Sequence, residues 1–206
     1  MLSRNAMDLR AIAHWVAGHL DGGIEHEQRV VRIASTLFDL TADLHDLSPR
    51  YRRLLRAAAL VHDVGRSVNK PEHPRAGARL VLRDRSLGLG PFDRRALAFL
   101  TLYHRDGLPA LGDESILRAA HDRVALRKVL ALLRAADALD SRSLESPRLV
   151  FGLKKRRLHV ACYLEDFSAK ARRVYLRRKK FTLMEDEIGC AVEVDVRSAE
   201  ALTMVA

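Results

Sequence analysis

Four helical segments each carry an imidazole or a carboxylate to an apolar face. In IEHEQRVVRIASTLFDL, His26 shares a stripe with Val30, Ile33 and Leu37 at spacings of four, seven and eleven. In RYRRLLRAAALVHDVG the stripe is Tyr51, Leu55, Ala59 and His62, with Asp63 beside it. Leu97 and Leu100 lead to His104, and Leu126, Leu130 and Leu133 lead to Asp137. Such groups are costly to desolvate against a core unless a salt bridge, a hydrogen-bond network or a metal ion meets them. Any one of them alone reads as a core residue with a hydrogen bond. Together, His26, His62, Asp63 and Asp137 offer nitrogen and oxygen ligands suited to Mn²⁺, Fe²⁺, Zn²⁺, Ni²⁺ or Mg²⁺.

The elements that must position these residues are mostly helices. From residue 5 to about 140, apolar residues recur at three and four, and DGG, SPR, NKPEHP, GLGPF and DGLPALGD mark the loops. Gly65 is expected to end the helix bearing His62 in a left-handed cap. After SLESPR the texture changes. RLVFGL and RLHVACYL read as strands around a KKR turn, a charged helix is expected over about 166–183, and CAVEVDV alternates as a strand. The expected fold is mostly α, a helical bundle over 1–146, with a small β-β-α-β extension over 147–206. The short strands need a helix to cover one face.

The chain has 206 residues and a formal charge of +10, with 36 Lys and Arg against 26 Asp and Glu. That balance favours an anionic partner, although basic residues spread along a chain also serve as plain surface. The basic runs KKRR at 154–157 and ARRVYLRRKK at about 170–180, with Tyr175 and Phe181 interleaved, admit contact with single-stranded nucleic acid. A run of this kind is more often a solvated helix face. Cys162 and Cys190 form no doublet and are expected to be buried apolar residues. Charges interrupt the first twenty residues, so no signal peptide is read there, and no apolar run is long enough for a membrane span; a cytoplasmic protein is expected. No glycine-rich phosphate loop, G-x-S-x-G or paired cysteine nucleophile is present. His14, His19, His45, His121 and His159 read as surface or structural residues.

The order His, His-Asp, Asp, here His26, His62 with Asp63, and Asp137, resembles the HD-domain metal-dependent phosphohydrolases over roughly residues 20–145. HEQRVVRIASTLFD, LRAAALVHDVGRSVN, YHR, LLRAADALDSR and the tail ending FTLMEDEIGCAVEV are similar to the C-terminal HD module of the exopolyphosphatase/guanosine pentaphosphatase family. The actin-like half that carries phosphatase chemistry in that family has no counterpart here. HPRAGARLV and YHRDGLP also resemble segments of HD-GYP cyclic dinucleotide phosphodiesterases, which implies His73 and His104 as ligands of a second metal. Tyr103 stands where those proteins have another histidine, and no Gly-Tyr-Pro follows.

The expected chemistry is hydrolysis of a phosphate ester, a phosphomonoester or phosphodiester of a nucleotide, cyclic nucleotide or related compound, by hydroxide generated on one or two divalent ions. Asp63 is expected to bridge two ions through its two oxygens, with His26, His62 and Asp137 on one side and His73 and His104 on the other. Arg66 is expected to grip phosphate oxygens, with Lys70, Arg105 and Arg29 as further substrate contacts. The competing readings are a non-catalytic module that binds polyphosphate or nucleotides, and an accessory nucleic-acid-binding protein. Exposed strand edges in the tail admit a homodimer.

Overall fold

The computed structural model describes residues 7–21, 23–105 and 107–203, with the side chains of residues 178, 202 and 203 left aside. The expectation about a signal peptide therefore falls partly on residues outside the described ones. No described helix is long and apolar enough to cross a membrane.

Helix α1 (Leu9–Ala17) starts at Asp8, whose carboxylate accepts from the Arg10 and Ala11 N–H groups. Then come α2 (Glu25–Leu40), α3 (Ala42–His45) and α4 (Pro49–Val61), the last with Pro49 in its first turn. A 3-10 turn, Val64–Ser67, leads to α5 (His73–Arg83), α6 (Pro91–Tyr103) and, after a long irregular stretch, α7 (Arg123–Ala138). The buried apolar positions of α2 are Val30, Ile33, Ala34, Leu37 and Phe38, with His26 and Glu27 buried ahead of them, so the apolar stripe read from the sequence is the face it buries. Helices α2, α4 and α7 pack on one another, and α5 lies against α6 and the 3-10 turn.

The tail forms a three-stranded sheet in the order β1 (Arg148–Lys154), β2 (Arg157–Leu164), β3 (Ala191–Ser198). β1 and β2 are an antiparallel hairpin; β2 and β3 are parallel, so residues between them cross over the sheet. The crossover holds α8 (Ala169–Tyr175), a 3-10 turn Arg178–Lys180 and α9 (Thr182–Ile188), and α10 (Glu200–Thr203) follows β3. The single helix expected over 166–183 is thus divided. Ala171 and Tyr175 bury one stripe, whereas Phe181, Met184 and Ile188 bury another. The six-residue step between them does not match a 3.6-residue period, so the chain must unwind and restart. Gly189, at φ 66°, then closes α9 in the left-handed region.

One apolar core runs from the helices into the sheet, where Leu158, Val160, Met184, Ile188, Cys190 and Val192 join it. Cys162 and Cys190 are both buried free thiols, and burial pushes Cys162 up to about 12.

Gly65 is not the left-handed cap that the sequence suggested. It lies within the 3-10 turn, and its φ is not among the positive ones. A Cβ at this position would stand 2.1 Å from the His73 carbonyl oxygen and 2.3 Å from the Gly77 nitrogen. Glycine is required because two backbones meet there, which brings the His62-Asp63 segment against the start of α5.

Candidate metal centre

His62 is the C-terminal flanking residue of α4 and His104 that of α6, while His73 opens α5. Each of these rings donates Nδ1–H to the carbonyl three residues back: His62 to Ala59 at 2.9 Å, His73 to Lys70 at 2.8 Å and His104 to Thr101 at 2.8 Å. His26, inside α2, instead sets its Nδ1 on the Asp140 carboxylate at 2.6 Å. All four rings are therefore fixed with Nε2 as the open nitrogen, the arrangement in which a histidine accepts a metal.

The open nitrogens converge in two groups able to hold a metal ion, His26 with His62 and Asp137, and Asp63 with His73 and His104. In the first, Asp137 Oδ1 lies 3.4 Å from both the His26 and the His62 Nε2. In the second, Asp63 Oδ1 lies 3.0 Å from His73 Nε2 and 3.6 Å from His104 Nε2. The same oxygen is 3.9 Å from His62 Nε2, so Asp63 sits between the groups. The four histidines of these groups are at least 95 % buried.

This set fits a cation. The His62 Nε2 is buried with no hydrogen-bond partner, and the Nε2 atoms of His73 and His104 face each other at 3.2 Å. With Nδ1 protonated, those are lone pairs pointed at one another or at carboxylates, an arrangement that repels unless positive charge stands between. Burial opposes a charge on His62, but the adjacent Asp63 and Asp137 carboxylates outweigh it and push the ring up to about 9. Burial likewise acts to raise Asp63 and Asp137, yet the surrounding histidines hold both well below the usual carboxylate range. His104 is pushed down, chiefly by burial.

The second oxygen of Asp63 is otherwise engaged. Oδ2 accepts from Arg142 Nε at 3.0 Å and lies 3.7 Å from Arg66 Nε, while Arg142 also reaches the buried Glu27. The expected bridge calls on both carboxylate oxygens; here Oδ1 turns to the histidines while the Arg142 guanidinium holds Oδ2. Arg66 does stand at the site. Arg29 does not line it: its Nε binds both Asp140 oxygens, at 3.0 and 3.1 Å, completing a chain from Arg29 through Asp140 to His26. The Lys70 side chain is exposed, and its contribution to the centre is the carbonyl that orients His73.

A cleft of about 550 Å³ opens over the centre, lined by His104 and Asp137 and by Arg105, Arg134 and, from the extension, Arg177, Lys179 and Lys180. Arg134 also donates to the Tyr103 carbonyl. Arg177, Lys179 and Lys180 belong to the run that reads in the sequence as a basic tail. Folding brings them to the wall of the cleft over the candidate metal centre. Asp140, Glu27 and Arg142 also belong to the site, although the sequence pattern does not single them out. Asp140 follows Asp137 by three residues, just past the end of α7, so its closeness in sequence to a ligand candidate is its one local mark; nothing local marks Arg142 or Glu27.

The remaining histidines stand outside both groups. His45 accepts from the Leu47 N–H and donates to the Phe38 carbonyl. His121 stacks on Phe92 at 3.9 Å and bonds the Phe92 carbonyl, and His159 is half exposed beside Glu193. His14 is exposed, and His19 bonds the Trp15 carbonyl.

A family model described as Ppx/GppA phosphatase, domain III, matches residues 15–184. A tRNA (cytidine(56)-2'-O)-methyltransferase of Picrophilus torridus is 26% identical over 132 residues, which is 58% of this chain and 38% of that protein. The match thus covers well under half of that relative's length. With the match spanning both the helical body and most of the extension, the chain belongs to the Ppx/GppA phosphatase domain III family.

Proposed function

We propose that this chain is a divalent-metal-dependent phosphohydrolase of the HD type, acting on a nucleotide, cyclic nucleotide or related phosphate ester. The observation that carries the reading is the convergence of four open Nε2 atoms and two carboxylates at the floor of a cleft walled by cations. His26, His62 and Asp137 would hold one ion, and Asp63, His73 and His104 a second. When bound, such ions supply Lewis-acid polarisation of a phosphoryl oxygen and a nucleophilic water at neutral pH.

The chain's own residues do the rest. Asp140 and the Ala59, Lys70 and Thr101 carbonyls hold the rings in one tautomer. Arg142 pins Asp63 with Oδ1 toward the histidines. Arg66 and the cleft cations Arg105, Arg177, Lys179 and Lys180 bind phosphate oxygens, with the guanidinium groups able to take two at once.

The test is elemental analysis of protein purified without chelator, with Asp63→Ala alongside, followed by a screen of phosphate esters. Two ions per chain, diminished in the variant, with metal-dependent turnover, are expected. No metal after soaking in Mn²⁺ would overturn the proposal. A second reading, a module that binds nucleotide or polyphosphate without cleaving it, draws support from the cation-rich wall, which attracts anions with or without metal. A ligand that raises the melting temperature and is recovered intact would favour that reading.

A further inference from the structure

The metal cleft does not end at Arg105. That residue also borders an adjoining cleft of about 440 Å³ lined by Pro71, Pro74, Leu102 and Tyr103. Glu72 and Arg75 border this second cleft and, in turn, a third of about 680 Å³, which runs along α5 past Val68, Ala76 and Leu80 to Arg79 and Arg83. Because each neighbouring pair shares lining residues, the three clefts lie side by side from the buried histidines to the far end of α5.

Cations line this path throughout. Arg105 stands at the first junction, Arg75 at the second, and Arg79 and Arg83 follow at one-turn intervals, all exposed. From Arg75 to Arg83 the path covers about 12 Å at the rise of an α-helix. Two acidic groups border it: Glu72 lies 3.7 Å from Arg75 and offsets its charge, and Asp84 stays ionised, accepting from the Trp15 indole at 2.7 Å and from Ser86. Between the cations the lining is largely apolar, with Asn69 and Glu72 as its polar members, and Val68 is 65 % exposed.

A bare phosphate chain would satisfy the arginines and leave those apolar surfaces in water. Single-stranded nucleic acid satisfies both, through phosphates on the guanidinium groups and base faces against proline, leucine, valine and tyrosine. We propose that the three clefts form one track for a single strand of RNA or DNA, which enters along α5 and delivers a terminal phosphate to the metal centre. Delivery to the centre rests on the phosphohydrolase reading; binding along α5 does not.

Fluorescence anisotropy with a short fluorescein-labelled oligoribonucleotide tests the track. Arg79→Glu/Arg83→Glu should weaken binding by about tenfold or more and flatten the salt dependence by roughly 1.4 in log–log slope, as expected for two phosphate contacts on a single strand. Arg32→Glu/Arg53→Glu changes the net charge equally at exposed positions of α2 and α4 that line none of the three clefts, and should cost clearly less. Equal losses in the two variants would show bulk charge alone and overturn the proposal. Inorganic polyphosphate of matched charge binding as tightly as the oligonucleotide would overturn the nucleic-acid assignment. Asp63→Ala should still bind the oligonucleotide, so a protein that binds RNA but holds no metal would sink the hydrolase and leave the track standing.

Discussion

Gly65→Ala is expected to damage fold and metal centre together. The added methyl would stand 2.1 Å from the His73 carbonyl oxygen, about 1.3 Å short of ordinary van der Waals contact at 3.4 Å, and 2.3 Å from the Gly77 nitrogen. Both obstacles are backbone, so no side-chain rotamer relieves them, and the 3-10 turn must move off α5. Overpacking of a well-filled site costs about 1–3 kcal/mol, and a clash with fixed backbone belongs at or above the upper end. At about 3 kcal/mol, a chain of this size loses roughly 6–12 °C in melting temperature. The same movement separates Asp63 from His73, now 3.0 Å apart, by more than the ±0.2 Å or so that metal–ligand distances tolerate. The measurement pairs thermal unfolding of metal-free protein with calorimetric titration of Mn²⁺. The second group, Asp63, His73 and His104, should lose its ion while the first keeps affinity better. Gly77→Ala is the comparison, because its Cβ meets the Thr101 methyl at 3.0 Å and Val64 Cγ1 at 3.3 Å, groups that can give, and the Gly65 nitrogen at 3.2 Å. The helix propensity gained there, about 0.5–1 kcal/mol, offsets part of the strain. An unchanged melting temperature and two unimpaired sites in Gly65→Ala would refute the close-approach argument.

Two further outcomes follow from single contacts. Asp140→Asn should weaken metal binding at the His26, His62 and Asp137 group by about 10–100-fold, because the carboxylate that holds the His26 ring is lost, while the other group is unaffected; titration with Co²⁺, read by its absorption spectrum, separates the two sites, and equal loss at both would contradict the assignment. Asp84, held by the Ser86 hydroxyl and the indole of Trp15, the chain's one tryptophan, has its carboxyl lowered to about 2 from 3.8. Its contribution to stability is then fully present above pH 3.8 and lost as pH falls through about 2, so Trp15 fluorescence should titrate near the lower value and Asp84→Asn should remove that transition. A midpoint near 4 would mean that the indole contact does not hold.

The helical stripes were legible from the chain alone because a 3.6-residue period leaves a pattern in one dimension: His26, Asp137 and the leucines around them lie on the faces that their spacing indicates. So was the alternation of the strands, and so was the small α+β character of the tail. What spacing could not supply is anything that depends on where separate elements meet. Gly65 is glycine because of an α5 backbone eight residues away, not because of a helix end. Asp63 turns one oxygen to the histidines because Arg142, 79 residues on, takes the other. Arg177, Lys179 and Lys180 read locally as a solvated run; only the parallel crossover between β2 and β3 swings them onto the cleft over the candidate metal centre. Local pattern carries the free energy of burying one face of one element, whereas charge pairing and backbone contact across the chain exist only once the core has brought those elements together.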